Sequence, residues 1–364
     1  MEPASTHQIS SPEQTSTPER DAHRLRNGII WTAALVLLLL AVGLAVPDLR
    51  EILHRAAHAA PGWLVLAIGL EVASCLGYVA TVRLVLPRGP KREVRWLAWA
   101  ESAFGAVVPV GGAGGLAVGA WAMRAWGISW SRIANRSAVI FLLTSAINGV
   151  VLVLAGLGIA TGVGAGGNGI EYGLIPAVAT VVGLGFFLAL PRWAARKPES
   201  RDDGRITLGL RRTAQWVTDT EAVVRRPNWR LLGSVGYLLF DIAVLWACLR
   251  AVGTSPPLLA VVVGYQVGYL ANVIPIPGAV GVLEGGMLGA LLLYGLPAAP
   301  TAAAVVLYHA IALWVPALGG TYGFARLRGA VTRPQAVLRQ LPQHPERLPE
   351  LHPEPGFEAG ELAA

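Results

Sequence analysis

An all-α polytopic membrane protein, with about six full spans and two broken-helix hairpins arranged as inverted repeats, is the fold class this sequence predicts. Three observations predict it. Of 364 residues, 54% are hydrophobic and only 14% charged, and several uncharged apolar runs reach the ~18–20 residues that a bilayer-crossing helix needs. Two apolar stretches are interrupted by Pro and Gly at a depth where lipid cannot satisfy a bare backbone N–H or C=O. The interruptions also match one another. Val107-Val108-Pro109-Val110-Gly111-Gly112-Ala113-Gly114-Gly115-Leu116 aligns without a gap on Val273-Ile274-Pro275-Ile276-Pro277-Gly278-Ala279-Val280-Gly281-Val282, at an offset of 166 residues. Corresponding breaks in two halves of a membrane protein point to a site between inverted repeats.

In chain order, residues 1–28 are polar, rich in Ser, Thr, Pro and Glu, and read as a disordered cytoplasmic tail. They are too long and too polar for the n-region of a cleaved signal, so the first span, about Ile29 to Val46, is expected to remain as an anchor. A short amphipathic link, Asp48 to Ala60, leads to a second span, Gly62 to Leu86. A basic loop with Arg88, Lys91, Arg92 and Arg95 precedes the first broken element, residues 96–126. Its first limb, Trp96 to Val108, reaches only about 20 Å, short of a hydrocarbon core of about 30 Å. Spans follow at about Ser137 to Ala160 and Gly173 to Leu190, joined by a Gly-rich loop, 161–172. The linker 191–230 carries ten Lys or Arg, and within it Ile206 to Val224 reads as a helix lying on the inner surface. A span from about Leu231 to Leu249 precedes the second broken element, 258–296. There the prolines should stop one helix near Ile274, and a new one should start near Gly281. A last span, about Thr301 to Phe324, ends the membrane domain 29–325, and the Pro-rich residues 326–364 read as a second disordered cytoplasmic tail.

Charge sets the topology. With both termini inside, 25 of the 29 basic residues fall in cytoplasmic segments, the cluster Arg124, Arg132 and Arg136 among them. Counting each broken element as one crossing puts the ten-residue cluster outside, against the positive-inside rule. Each therefore contributes an even number of crossings, either none (re-entrant) or two short ones. The first hairpin then enters from the cytoplasm and the second from outside, so residues 62–160 and 231–324 form inverted repeats. The net charge of +7 belongs to topology and anionic headgroups, not to nucleic acid.

Candidate pathway residues are the ionisable groups inside apolar elements: Glu71, Glu101, Arg124, Asp241, Glu284 and His309. Each has a plainer reading beside the functional one. Glu71 and Glu101 can reach interfaces or pair structurally. Glu284 sits in the first turn of a half-helix, where a carboxylate caps free N–H groups. Arg124 suits an interfacial anchor, and His309 suits a satisfied core histidine. The hairpin breaks are Pro109, Gly111, Gly112, Gly114, Gly115, Pro275, Pro277, Gly278 and Gly281; these glycines, like Gly285 and Gly289, can also serve close helix packing. Cys75 and Cys248 lie within apolar spans and read as packing residues, not as a disulfide or metal ligands. No metal and no cofactor is expected. Gly112-Ala113-Gly114-Gly115-Leu116-Ala117 formally fits a dinucleotide pattern, yet no strand precedes it. The absence of a Walker lysine, of H-E-x-x-H and of G-x-S-x-G leaves ATP-driven transport and hydrolysis unsupported.

The early Pro-x-Gly-Gly-x-Gly-Gly hairpin, followed by Arg124-x-x-Gly127, and the late Pro-x-Pro-Gly-x-x-Gly-x-x-Glu hairpin together carry a resemblance. Over roughly residues 30–325 the chain resembles the flippase-like family named for the lysylphosphatidylglycerol synthase transmembrane region. The resemblance implies a bacterial-type cell (inner) membrane protein that moves lipids or lipid-linked molecules between leaflets. In bifunctional relatives a soluble aminoacyl transferase follows the membrane part; none is expected here, so the chain reads as a non-enzyme. The leading expectation is a non-ATPase translocator acting on membrane lipids, an anionic phospholipid or a polyprenyl-linked lipid. The alternative is a membrane partner of a synthase or glycosyltransferase of envelope lipid or glycan synthesis, docked through 191–230. Lipid aminoacylation within the membrane ranks last, since nothing here can bind a charged tRNA.

Overall fold

The computed structural model describes residues 47–87, 89–107, 113–162, 169–196, 204–226, 228–273 and 282–331. Eleven helices and no strand occur among them: α1 Pro47–Ala57, α2 Pro61–Val85, α3 Lys91–Val107, α4 Ala113–Ala125, α5 Trp130–Ala160, α6 Gly169–Ala195, α7 Arg205–Arg225, α8 Leu231–Ala251, α9 Leu258–Val273, α10 Val282–Leu293 and α11 Ala298–Val331. Five are long and apolar enough to cross a bilayer: α2, α5, α6 from Gly173, α8 and α11. They coincide with five of the six expected spans. The sixth, about 29–46, lies outside the described residues, as do both tails.

The chain divides into two units, Met1–Ala57 and His58–Ala364. In the first, α1 carries an exposed ion pair one turn apart, Arg55 to Glu51 at 2.8 Å. In the second, helix order repeats: long helix, two short limbs, long helix (α2, α3, α4, α5), and again (α8, α9, α10, α11). Between the two copies lie α6 and α7. The amphipathic helix expected at Ile206 to Val224 is α7, which packs on α6 and α5.

Both broken elements fold back as hairpins. On the first, Glu101 of α3 lies against Gly115 and Gly119 of α4, while Leu97 shares a core cluster with Ala122 and Met123. On the second, Gly264 of α9 faces Leu291 of α10. Each limb therefore runs antiparallel to its partner, as an even number of crossings requires. At 17, 13, 16 and 12 residues the limbs span about 26, 20, 24 and 18 Å. The first is longer than the sequence suggests because the helix begins at Lys91, recruiting the polar Lys91, Arg92, Glu93 and Arg95 ahead of Trp96. α9 extends to Val273 and α10 begins at Val282, on either side of the expected break. The breaks Pro109, Gly111, Gly112, Pro275, Pro277, Gly278 and Gly281 lie outside the described residues.

The two copies interlock. The opening helices α2 and α8 cross antiparallel: Ala60 N–H donates to the Ala251 carbonyl, Trp63 meets Trp246 edge-on, and Ser74 Oγ donates to the Tyr237 carbonyl at 2.9 Å. Thr81 and Ser234 share a hydroxyl bond of 2.8 Å. Glycine permits the approach, since a Cβ on Gly77 would lie 2.6 Å from the Gly233 carbonyl oxygen. Each copy's first limb also packs on the other copy's closing helix. Gly319, Gly320 and Gly323 of α11 receive Trp96, Trp99 and Ala103 of α3. Leu152, Ala155 and Ile159 of α5 receive Val263 of α9.

Candidate functional site

Two buried polar clusters sit inside this apolar frame, one in each copy. Each draws on the opening helix, the first limb and the closing helix.

The first cluster is charge-neutral. Glu101 lies near the middle of α3, too deep to reach water, so it demands a counter-charge. Arg136, one turn and a half into α5, supplies it as a fork: Nη1 donates to Oε1 at 2.6 Å and Nη2 to Oε2 at 2.8 Å. Both side chains are buried, 6% and 3% exposed. The Tyr78 hydroxyl of α2 donates to Oε2 at 3.2 Å. Glycine makes room for the pair: a Cβ on Gly119 would strike the Glu101 carboxylate, and one on Gly115 the Glu101 carbonyl oxygen, 2.5 Å away. Gly115 thus serves close packing, whereas Cβ atoms at Gly285 and Gly289 would meet nothing within 4 Å among the described residues.

The second cluster carries no cation among the described residues. Asp241 of α8 accepts the Tyr265 hydroxyl of α9 on Oδ2 at 2.6 Å and the Tyr308 hydroxyl of α11 on Oδ1 at 3.1 Å. Tyr269 stacks on Tyr265 with centroids 6.1 Å apart, and Tyr308 meets it edge-on at 6.2 Å. Glu71 of α2 faces this cluster from across the α2–α8 seam. From the Ser74–Tyr237 contact, Glu71 is three residues back on one helix and Asp241 four residues on along the other, which in antiparallel helices is the same direction on the same faces. Glu71 is only 5% exposed. Its Oε1 receives the Cys75 thiol at 3.7 Å, and its Oε2 has no partner. Tyr78 and Tyr237, with rings 5.4 Å apart, bridge the two clusters.

The remaining candidates fall elsewhere. Arg124 is exposed, donates Nη1 to the Ile128 carbonyl at 3.0 Å and lies over the Trp130 ring at 5.3 Å, as an anchor would. His309 follows Tyr308 on α11 but takes the exposed face. Glu284 belongs to the first turn of α10; its side chain lies outside the described residues. Arg136 and the tyrosines were not singled out from sequence. Arg136, grouped there with the cytoplasmic basic residues, lies inside the bundle because α5 starts at Trp130, six residues before it. The available signal was Tyr265 and Tyr269 at helical spacing in the middle of an apolar run, away from the interface where tyrosines ordinarily collect. Among the described residues no cluster of three or more His, Cys, Asp or Glu is arranged to hold a metal.

Comparison with known proteins gives two findings. A family model described as "Lysylphosphatidylglycerol synthase TM region" matches residues 29–320. A protein of Methanothermobacter thermautotrophicus described as "UPF0104 membrane protein" is 35% identical over 88 residues, covering 24% of this chain and 25% of that protein. The match thus spans a quarter of that relative's length.

Proposed function

The chain belongs to the lysylphosphatidylglycerol synthase transmembrane-region family, and from that premise we propose that this multi-pass membrane protein is a non-ATPase, non-enzymatic translocator of phospholipid or lipid-linked headgroups between leaflets. One observation carries the reading: Glu71 and Asp241 face one another halfway along α2 and α8, at the seam between the copies, with no basic partner among the described residues. An ionised side chain at the centre of a span costs about 2.5–3.5 kcal/mol on insertion scales, and such groups mark polar pathways. Sites of this kind sit near the midplane at repeat interfaces. The starts of α4 and α10 suit a phosphodiester, since the first turn of a helix presents N–H groups to an anion, with Glu284 in the first turn of α10. On this reading the protein sits in a bacterial-type inner membrane, and the distribution of basic residues supports both termini being cytoplasmic.

The test is reconstitution. Purified protein in vesicles should speed inter-leaflet movement of a fluorescent phospholipid or polyprenyl-linked lipid, read by quenching from outside. No acceleration with any such lipid removes the proposal.

A second reading keeps one supporting observation. On and just beyond α7, Ile206, Leu208, Val224 and Trp229 are exposed beside Arg212 and Arg225, a surface suited to a synthase or glycosyltransferase as well as to a lipid headgroup layer. Neutralising the arginines of 191–230 should abolish function on this reading and spare vesicle transport on the first.

A further inference from the structure

We propose that Glu71 and Asp241 bind a single proton between them at mid-span; its use as the coupling ion rests on the translocator reading, while the binding itself does not. Each carboxylate is the eleventh residue of its helix, α2 or α8, about 15 Å from the helix start. Of their four oxygens, three already accept a donor: Tyr265 and Tyr308 on Asp241, Cys75 on Glu71. One remains, Glu71 Oε2, buried and unpartnered.

The surroundings leave the charge uncompensated. Among the described residues the facing groups are Cys75 and Tyr78 from α2, Tyr237 and Cys248 from α8, Tyr265 and Tyr269 from α9, and Tyr308 from α11. All are neutral donors. The charged pair within reach, Glu101–Arg136 from α3 and α5, is neutralised internally and touches the cluster only through Tyr78. His309 points to the exposed face of α11. Two like charges facing one another in an apolar span with no counter-charge are costly, and a single proton removes one of them.

A bare metal ion asks for more. Calcium takes six to eight oxygens and magnesium a near-ideal octahedron, whereas the three occupied oxygens leave a single free atom. One oxygen suits one proton. The step is simple: a hydronium ion gives its proton to Glu71 Oε2, one of its O–H bonds breaking as the carboxyl O–H forms and a water molecule leaving, and the return of the proton to water is the reverse.

The experiment has two independent parts. Infrared spectra of the full chain in nanodiscs should show a protonated-carboxyl C=O band that fades on alkalinisation and disappears in Glu71→Gln and in Asp241→Asn. A wild type without such a band at any pH, or a band unchanged in both variants, overturns the site; the wild-type titration decides even if a variant fails to fold. In vesicles, a pH gradient should drive lipid asymmetry with wild type and not with Glu71→Gln, while a sodium gradient should drive none. Sodium-driven asymmetry without the band also overturns the site. If the band titrates with Glu71 yet no lipid moves, the proton site stands and the translocator reading falls.

Discussion

The two polar clusters occupy related places in the two copies and solve the burial of a carboxylate in opposite ways. In the first, Glu101 is held by a guanidinium fork and a tyrosine. In the second, Asp241 is held by two neutral hydroxyls with another carboxylate opposite. The difference teaches where each copy is rigid. A paired buried charge ties α3 to α5 and resists opening, because either partner alone in the apolar interior is costly. A proton taken or released on the unpartnered oxygen of Glu71 leaves the donors of Asp241 in place, so on the proposed function the second cluster is the one that can switch. On the proposed function the first is then the clamp and the second the site.

Breaking the clamp should have the largest effect. Arg136→Met leaves Glu101 buried without a cation and should cost about 3–5 kcal/mol, read as loss of thermal stability in detergent. Adding Glu101→Met in the same chain should recover most of it, since an apolar pair of similar volume is often neutral. If the single variant melts with wild type, Glu101–Arg136 is no clamp.

Loosening the second cluster should cost less. Tyr265→Phe removes the shorter bond to Asp241, 2.6 Å against 3.1 Å for Tyr308. A hydrogen bond to a charged group contributes about 1.5–3 kcal/mol, so Tyr265→Phe should fall in that range and Tyr308→Phe below it. The order of the two melting temperatures is the check. Equal losses from the two, or a loss as large as that of Arg136→Met, would erase the contrast between the clusters.

A matched glycine pair sharpens the comparison further. Gly119 and Gly285 are 166 residues apart, the offset of the two breaks, yet a Cβ would strike Glu101 at the first and meet nothing at the second. Gly119→Ala should therefore destabilise by about 1–3 kcal/mol through overpacking. Gly285→Ala should be neutral or gain up to about 1 kcal/mol of helix propensity. Chemical denaturation of the two single variants reads the difference directly.

How much of this was legible depends on what each residue's neighbours are. Spans, hairpins and the inverted order follow from local features, namely apolar run length, Pro and Gly breaks and the charge between them, so Leu258 to Val273 and Val282 onward could be placed from the chain alone. Glu71, Glu101 and Asp241 stand out because a carboxylate in an apolar run is conspicuous by itself. Their partners do not, since Arg136 lies 35 residues from Glu101 and Tyr308 lies 67 from Asp241. Pairing at that range is decided by how helices cross, which no local pattern carries. Tyrosines in particular pass as ordinary apolar residues until a carboxylate is found beside them.

Arg124 and Arg136 make the same point within one basic segment, and they give the smallest expected effect. From sequence, Arg124 is a pathway candidate whose plainer reading is an interfacial anchor, and Arg136 belongs with the cytoplasmic basic cluster; in the fold, Arg136 is buried on Glu101 while Arg124 is exposed on the Ile128 carbonyl and the Trp130 ring. An exposed arginine with one carbonyl and one ring contact exchanges much of what it gains for hydration and side-chain freedom. Surface changes of this kind stay within about 0.5 kcal/mol. Arg124→Gln should therefore melt with wild type and move lipid at the wild-type rate in vesicles. A stable Arg124→Gln protein that moves no lipid would return Arg124 to the pathway, and the division into a clamp and a switching site would then have to include a third, exposed charge at the end of α4.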